Sequence, residues 1–222
     1  MHWLLNDIAM TRKSPLNAFK TLGHWLFSVY AAIVFKTYVR LKVRKESSLP
    51  DEPFIICSNH QSHLDAIILS HIGCPNFNRS AMIAAKDYWY DQKWRSALSQ
   101  IFFNTIPITR KDMRANMSLR ETTKRMRSFI SNKGKCVVIL PEGTRSRDDC
   151  IKSFKNGIVL LARECQLPII PVHIQGSGKL WPKGALLIRP GTVKVTVGKP
   201  ILPGQLTDAE MIRKQVIELS NS

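Results

Sequence analysis

A chain of 222 residues that is 44% apolar and 22% charged, with 11 Gly and 12 Pro, has the composition of one globular domain with an appendage. That balance excludes a disordered tail, a collagen-like repeat and a polytopic membrane protein. Thirty-three Lys and Arg against 16 Asp and Glu leave a net charge of +17, which points to a polyanionic partner or surface.

The charge is concentrated in two blocks. Residues 1–45 hold eight basic residues against one acidic, and residues 86–135 hold twelve against four. Between Lys20 and Lys36 runs an uncharged stretch, Thr21 to Phe35, that as a helix covers only ~22 Å. A bilayer core is about 30 Å thick, so the stretch is too short to span it. Basic residues follow it where a signal peptide would have a small-residue cleavage site. A helix over 16–41, with Trp25, Tyr30 and Tyr38 near its ends and Lys20, Lys36, Arg40, Lys42, Arg44 and Lys45 flanking it, suits the lipid interface. Trp3, Leu4, Leu5, Ile8 and Met10 can dip in beside it. The competing reading is a core helix packed on the main domain. Residues 1–45 are therefore expected to form an amphipathic helical membrane-binding motif, and 46–222 an α/β domain.

Apolar runs and helical patterns then alternate. Strands are expected at 54–57, 81–84, 106–108, 136–140 and 169–172, with helices at 64–72, 90–101, 114–132 and 153–165. Ala185–Ile188 and Val193–Val197, joined through Arg189-Pro190-Gly191, read as a hairpin. After Thr207 the chain reads as a helix opened by the box Thr207-Asp208-Ala209-Glu210. Such alternation implies a mixed, largely parallel sheet flanked by helices, with chemistry where loops leave the carboxyl ends of strands. Cys57, Cys74, Cys136, Cys150 and Cys165 are odd in number and form no C-x-x-C pair, so they read as reduced thiols.

Two polar clusters follow apolar strands. The first is Ser58-Asn59-His60-Gln61-Ser62-His63-Leu64-Asp65. Histidine is suited to accept a proton near neutral pH, and a carboxylate on its far nitrogen fixes the tautomer. Five residues apart on a regular helix, His60 and Asp65 would splay by about 140°, so they meet only if His60 stands on the loop and Asp65 in the first helical turn. Ser62-x-x-Asp65 is equally a capping box, which needs no catalysis. His60, His63 and Asp65 find no second His or Cys cluster to complete a metal site, and His173 stands alone. The second cluster, Pro141-Glu142-Gly143-Thr144-Arg145-Ser146-Arg147, offers a tight turn and guanidinium forks suited to phosphate or carboxylate. Arg110, after the third strand, converges on the same crevice if those strands are neighbours. Gly176-Ser177-Gly178-Lys179 lacks the upstream glycine and trailing hydroxyl of a phosphate loop, and no G-x-S-x-G elbow occurs.

Asn59-His60-x-x-x-x-Asp65, Arg110 closing an apolar strand, Pro141-Glu142-Gly143-Thr144-Arg145-Ser146, and Leu167-Pro168-Ile169-Ile170-Pro171-Val172 resemble, in order, the four blocks of the glycerolipid acyltransferases, which include the 1-acyl-sn-glycerol-3-phosphate acyltransferases. The resemblance covers about Pro53 to Pro200. It departs in the second block, which lacks a glycine before Arg110, and at Leu140, where phenylalanine is common. It implies an α/β enzyme on the cytoplasmic face of a membrane that moves an acyl group from an acyl-carrier-protein or coenzyme A thioester to a lyso-lipid hydroxyl, most simply 1-acylglycerol-3-phosphate. No cofactor or metal is implied. Carried over, His60 is the general base and Asp65 its partner. Asn59, Arg110, Glu142, Gly143, Thr144 and Arg145 lie on the acceptor side, and Pro171 shapes the acyl site. Two rivals stand beside this reading: the same chemistry on another lyso-phospholipid or amino-acid lipid, and a nucleic-acid-binding protein using residues 86–135. Against the latter, aromatic residues do not interleave with those cations.

Overall fold

The computed structural model describes residues 15–85, 104–108, 116–132, 134–146, 150–182 and 184–221. The expected helix at 90–101 and Arg110 lie outside them. The chain begins with α1 (Pro15–Thr37), β1 (Val39–Lys45), β2 (Phe54–Ser58), α2 (Leu64–Gly73), β3 (Ser80–Ala85) and β4 (Asn104–Ile108). It continues with α3 (Asn116–Ser131), β5 (Cys136–Ile139), α4 (Gly157–Cys165), β6 (Ile169–Gln175), the single turn α5 (Ser177–Leu180), β7 (Gly191–Val197) and α6 (Ala209–Glu218).

The strands form one seven-stranded sheet in the order β1-β7-β6-β2-β5-β3-β4. Among the described strands only the β6–β7 pair is antiparallel. The central strands β2, β5 and β6 are continuous apolar runs because helices cover both of their faces. One face buries Phe54, Ile56, Val138 and Ile170 under α1 and α2; the other buries Ile55, Val137 and Ile169 under α3, α4 and α6. Loops 59–63, 141–146 and 176–181 thus leave the same end of three adjacent parallel strands, with β2 in the middle. That is the crevice position of an open α/β sheet.

The amino-terminal region differs from expectation in two ways. The helix stops at Thr37, and Val39–Lys45 is an edge strand paired in parallel with β7. Arg40, Lys42, Arg44 and Lys45 line that edge in solvent, which blunts it against pairing with other chains. The helix packs on the sheet domain along one side and leaves the other side exposed. His24, Ala31 and Phe35 are buried against the sheet domain, where His24 Nδ1 meets Asn78 Oδ1 at 2.8 Å, Ser28 Oγ accepts the Phe77 amide at 3.1 Å, and the Phe35 ring meets His71 at a tilt, centroids 5.1 Å apart. On the opposite side Leu22, Trp25, Leu26, Val29, Tyr30 and Ile33, spaced by threes and fours, form one exposed apolar stripe. Among the described residues no helix is long and apolar enough to cross a membrane.

Three smaller boundaries also move. Ala185–Ile188 is not a strand: β1 and β6 already take both edges of β7, so no edge remains for a hairpin partner. The expected helix at 153–165 begins only at Gly157, because Phe154 is buried and Lys155 lies over the second polar loop. The cap of α6 is Asp208 rather than Thr207, with Oδ1 accepting from the Met211 amide at 2.8 Å.

Candidate active site

The first polar loop is built around one carboxylate oxygen. Asp65, in the first turn of α2, is fully buried, and its Oδ2 accepts from the Gln61 amide at 2.7 Å, the Ser62 amide at 2.8 Å and His60 Nδ1 at 3.0 Å. The Ser62 bond is the one half of the expected capping box that forms: the Asp65 amide donates to the Ser62 carbonyl at 3.2 Å, and Ser62 Oγ accepts instead from the Leu64 amide at 3.2 Å. Capping and orientation of the imidazole therefore share one oxygen, while Oδ1 is buried without a hydrogen-bond partner. With Nδ1 donating to Asp65, the lone pair of His60 lies on Nε2. The His60 side chain keeps 13% of its surface and that of Asp65 1%, so the ring opens to the crevice while its orienting charge does not.

The second polar loop is tied to the first by a closed set of bonds. Glu142 Oε1 accepts from the His60 amide at 3.0 Å, its Oε2 accepts from Ser146 Oγ at 3.0 Å, and the Ser146 amide donates to the His60 carbonyl at 2.8 Å. Burial pushes the Glu142 carboxyl up, and the bonds from His60 and Ser146 oppose that shift. Gly143 sits at φ +71°, a left-handed conformation that favours glycine, and the flexible end of Lys155 lies 2.8 Å from where a Cβ would stand. Thr144 is exposed, and Arg145 is half-buried with its carbonyl receiving Lys152 Nζ at 3.3 Å.

A third wall, which sequence reasoning missed, follows β6. Ser62 Oγ donates to the Trp181 carbonyl at 2.8 Å, and the indole meets the His63 ring edge-on at 5.8 Å. Gly178 lies so close to Gln61 that a Cβ would approach its side chain to 3.1 Å. The tryptophan is 119 residues from Ser62, and no local pattern marks it. Ser146 could have been found, since it stands inside the second cluster.

Of the expected site residues, the structure brings His60, Asp65, Glu142, Gly143, Thr144 and Arg145 to this one end of the sheet. Asn59 and Pro171 are placed differently. The buried Asn59 amide donates to the Ile174 carbonyl and accepts from the Ile174 amide, both at 2.9 Å, which locks the first loop to β6. Pro171 is buried within β6, paired with Cys57 and packed on Gly198, three residues short of the His60 loop. Strand β4, which leads toward Arg110, is separated from β5 by β3 and is not a neighbour of β2. Among the described residues no three His, Cys, Asp or Glu side chains converge as a metal ion would require.

His63 reports on the local field. Burial, the nearby Arg145 guanidinium and His60 lower its pKa to about 4, so it stays neutral at pH 7. Burial lowers His71 and His173 as well. Below pH 6.5 the unfolded chain binds more protons than the folded one at all three, for His63 down to about pH 4, so stability falls as pH falls. Glu142 acts with the opposite sign above pH 4.5 but is one group against three. Thermal unfolding at pH 7, 5.5 and 4.5 should show a falling midpoint, partly restored in His63→Phe; a midpoint flat across that range would refute the assignment.

The family model described as Acyltransferase matches residues 40–175, more than half of the chain. The chain belongs to the Acyltransferase family. Among curated relatives of this chain, the chloroplastic 1-acyl-sn-glycerol-3-phosphate acyltransferase BAT2 of Brassica napus is 29% identical over 181 residues, covering 80% of this chain and 50% of that protein. The 1-acyl-sn-glycerol-3-phosphate acyltransferase of Pseudomonas aeruginosa is 29% identical over 174 residues, covering 78% and 62%. The chain thus spans between half and two thirds of these relatives' length. The crystal structure of the 1-acyl-sn-glycerophosphate (LPA) acyltransferase PlsC from Thermotoga maritima superposes with a TM-score of 0.65 at 26% identity, covering 98% of this chain and 84% of that one. The mixed, mostly parallel sheet flanked by helices is shared with that structure.

Proposed function

We propose that this acyltransferase moves a fatty acyl group from a thioester to the free hydroxyl of a lyso-glycerolipid, with 1-acylglycerol-3-phosphate as acceptor and phosphatidic acid as product. The observation that carries the reading is the 3.0 Å contact between His60 Nδ1 and the buried Asp65, at the end of the central strand and beside the loop that carries Arg145.

The chemistry follows from those parts. An alcohol is a weak nucleophile. His60 Nε2 takes the acceptor's hydroxyl proton as that oxygen forms a bond to the thioester carbonyl carbon; the carbon–sulfur bond breaks, and the imidazolium returns the proton to the departing thiolate. No acyl-enzyme forms. Asp65 holds the tautomer and stabilises the transient cation. Base catalysis of this kind typically supplies about 10²- to 10⁴-fold, and positioning of two lipids supplies much of the rest. Arg145 and Thr144 bind the acceptor phosphate, and Glu142 acts by holding the His60 backbone. The donor is an acyl-carrier-protein or coenzyme A thioester. The exposed stripe of α1 lies on an anionic membrane at its cytoplasmic face, where both acceptor and product reside.

Arg145→Ala should raise KM for a phosphorylated acceptor by roughly tenfold or more, the scale of one charge-assisted bond, with KM for the thioester unchanged. Equal rises for both substrates would argue against a phosphate role. A second reading, transfer to a different lyso-lipid, is favoured by one observation: the polar atoms of Asn59 and Glu142 are engaged inside the protein, which leaves few acceptor-side groups. Offering the full chain a panel of lyso-lipids with both thioester types, and reading the products by mass spectrometry, separates the two. A dominant non-phosphatidic product would replace the first reading with the second.

A further inference from the structure

Leu186 and Leu187 are among the most exposed large apolar side chains described, at 93% and 81% of their full surface. They are not on a loose loop. Its base is fastened by Trp181 Nε1 to the Ala185 carbonyl at 2.9 Å, the Ala185 amide to the Pro182 carbonyl at 3.1 Å, and the Arg189 amide to the Leu180 carbonyl at 2.8 Å. Ile188 packs onto the core face that α1 covers, and its carbonyl accepts from Tyr38 Oη at 3.1 Å. Adjacent leucines held outward on a fastened base carry a cost in water that only an apolar partner relieves.

The surroundings say what that partner is. Tyr38 joins this loop to the end of α1, whose outer stripe of Leu22, Trp25, Leu26, Val29, Tyr30 and Ile33 is itself bare. Two exposed cations lie near the leucines: Arg40 is paired with Thr192 just past the loop, and Arg189 is two residues beyond Leu187. An apolar tip with cations near its base, joined through Tyr38 to an amphipathic helix, fits an anionic lipid surface.

We infer that residues 184–190 form a second membrane-inserting element, with Leu186 and Leu187 entering the bilayer beside α1. It rests on the reading that the α1 stripe lies on lipid. The loop reaches the catalytic end of the sheet through Trp181, which binds Ser62 and packs on His63, so seating the tip also orients the His60 crevice toward the lipid in which the acceptor lies.

The test is co-sedimentation of the full chain with vesicles of phosphatidylcholine and phosphatidylglycerol. L186Q/L187Q should lower the partition coefficient about tenfold or more, L186W/L187W should raise it, and L160Q, an exposed leucine of α4 on the other side of the sheet, should leave it within twofold. Because both loop leucines are exposed, unfolding midpoints should match the wild type. Unchanged binding by L186Q/L187Q while W25Q/L26Q loses binding would overturn the loop assignment and leave the α1 reading standing. No loss in either pair would overturn both. A change of oligomeric state in L186Q/L187Q without loss of vesicle binding would also overturn it, by making the tip a contact between copies.

Discussion

His60→Ala should lower kcat/KM for acyl transfer by about 10²- to 10⁴-fold, the range expected when a general base is removed and only positioning and electrostatics remain. The fold should survive. The His60 backbone keeps its bonds to Glu142 and Ser146, and Asp65 still receives the Gln61 and Ser62 amides. Steady-state kinetics beside thermal unfolding and vesicle binding check this. Turnover within a few-fold of the wild type would remove His60 from the chemistry, whatever its geometry.

Asp65→Asn should damage both activity and stability, because one oxygen serves both. An asparagine can place its carbonyl where Oδ2 stands, but its amide nitrogen then occupies the Oδ1 position, buried and without a partner in the wild type. Turned the other way, it sets a donor against three donors. Either arrangement weakens three charge-assisted bonds or strands a buried donor, for a loss of about 2–3 kcal/mol and a midpoint lower by roughly 4–10 °C. Without the carboxylate the imidazolium also loses its stabilising charge, and kcat should fall by about 10²- to 10⁴-fold. Loss of stability with kcat retained would make Asp65 a cap and nothing more.

Much of the site was legible because its bonds are local or its motif contiguous. His60 and Asp65 are five residues apart, and the helical-angle constraint already required the loop-to-first-turn arrangement observed. The continuous apolar runs at Phe54, Cys136 and Ile169 announced parallel strands buried on both faces. What stayed hidden depends on long-range pairing. Nothing near Arg40–Lys45 reveals that β7, some 150 residues later, completes a ladder with it, so a charged edge strand read as the end of a helix. Nothing near Leu186 reveals that β1 and β6 had already filled both edges of β7. Asn59 and Glu142 look like ligands in sequence because polar residues in a motif usually face solvent or substrate. Only the positions of Ile174, 115 residues away, and of the His60 amide, 82 residues away, show that they brace the loops.

Direct attack by a base-activated lipid hydroxyl leaves a distinct signature. Mass spectrometry of lipid and protein together, after incubating the full chain with an acyl thioester and 1-acylglycerol-3-phosphate, should show a diacyl product while the protein mass stays unchanged, even when the acceptor is withheld. A protein heavier by one acyl group in the absence of acceptor, or no diacyl product from any lyso-lipid offered, would contradict an oriented His60 acting as the base for one-step transfer.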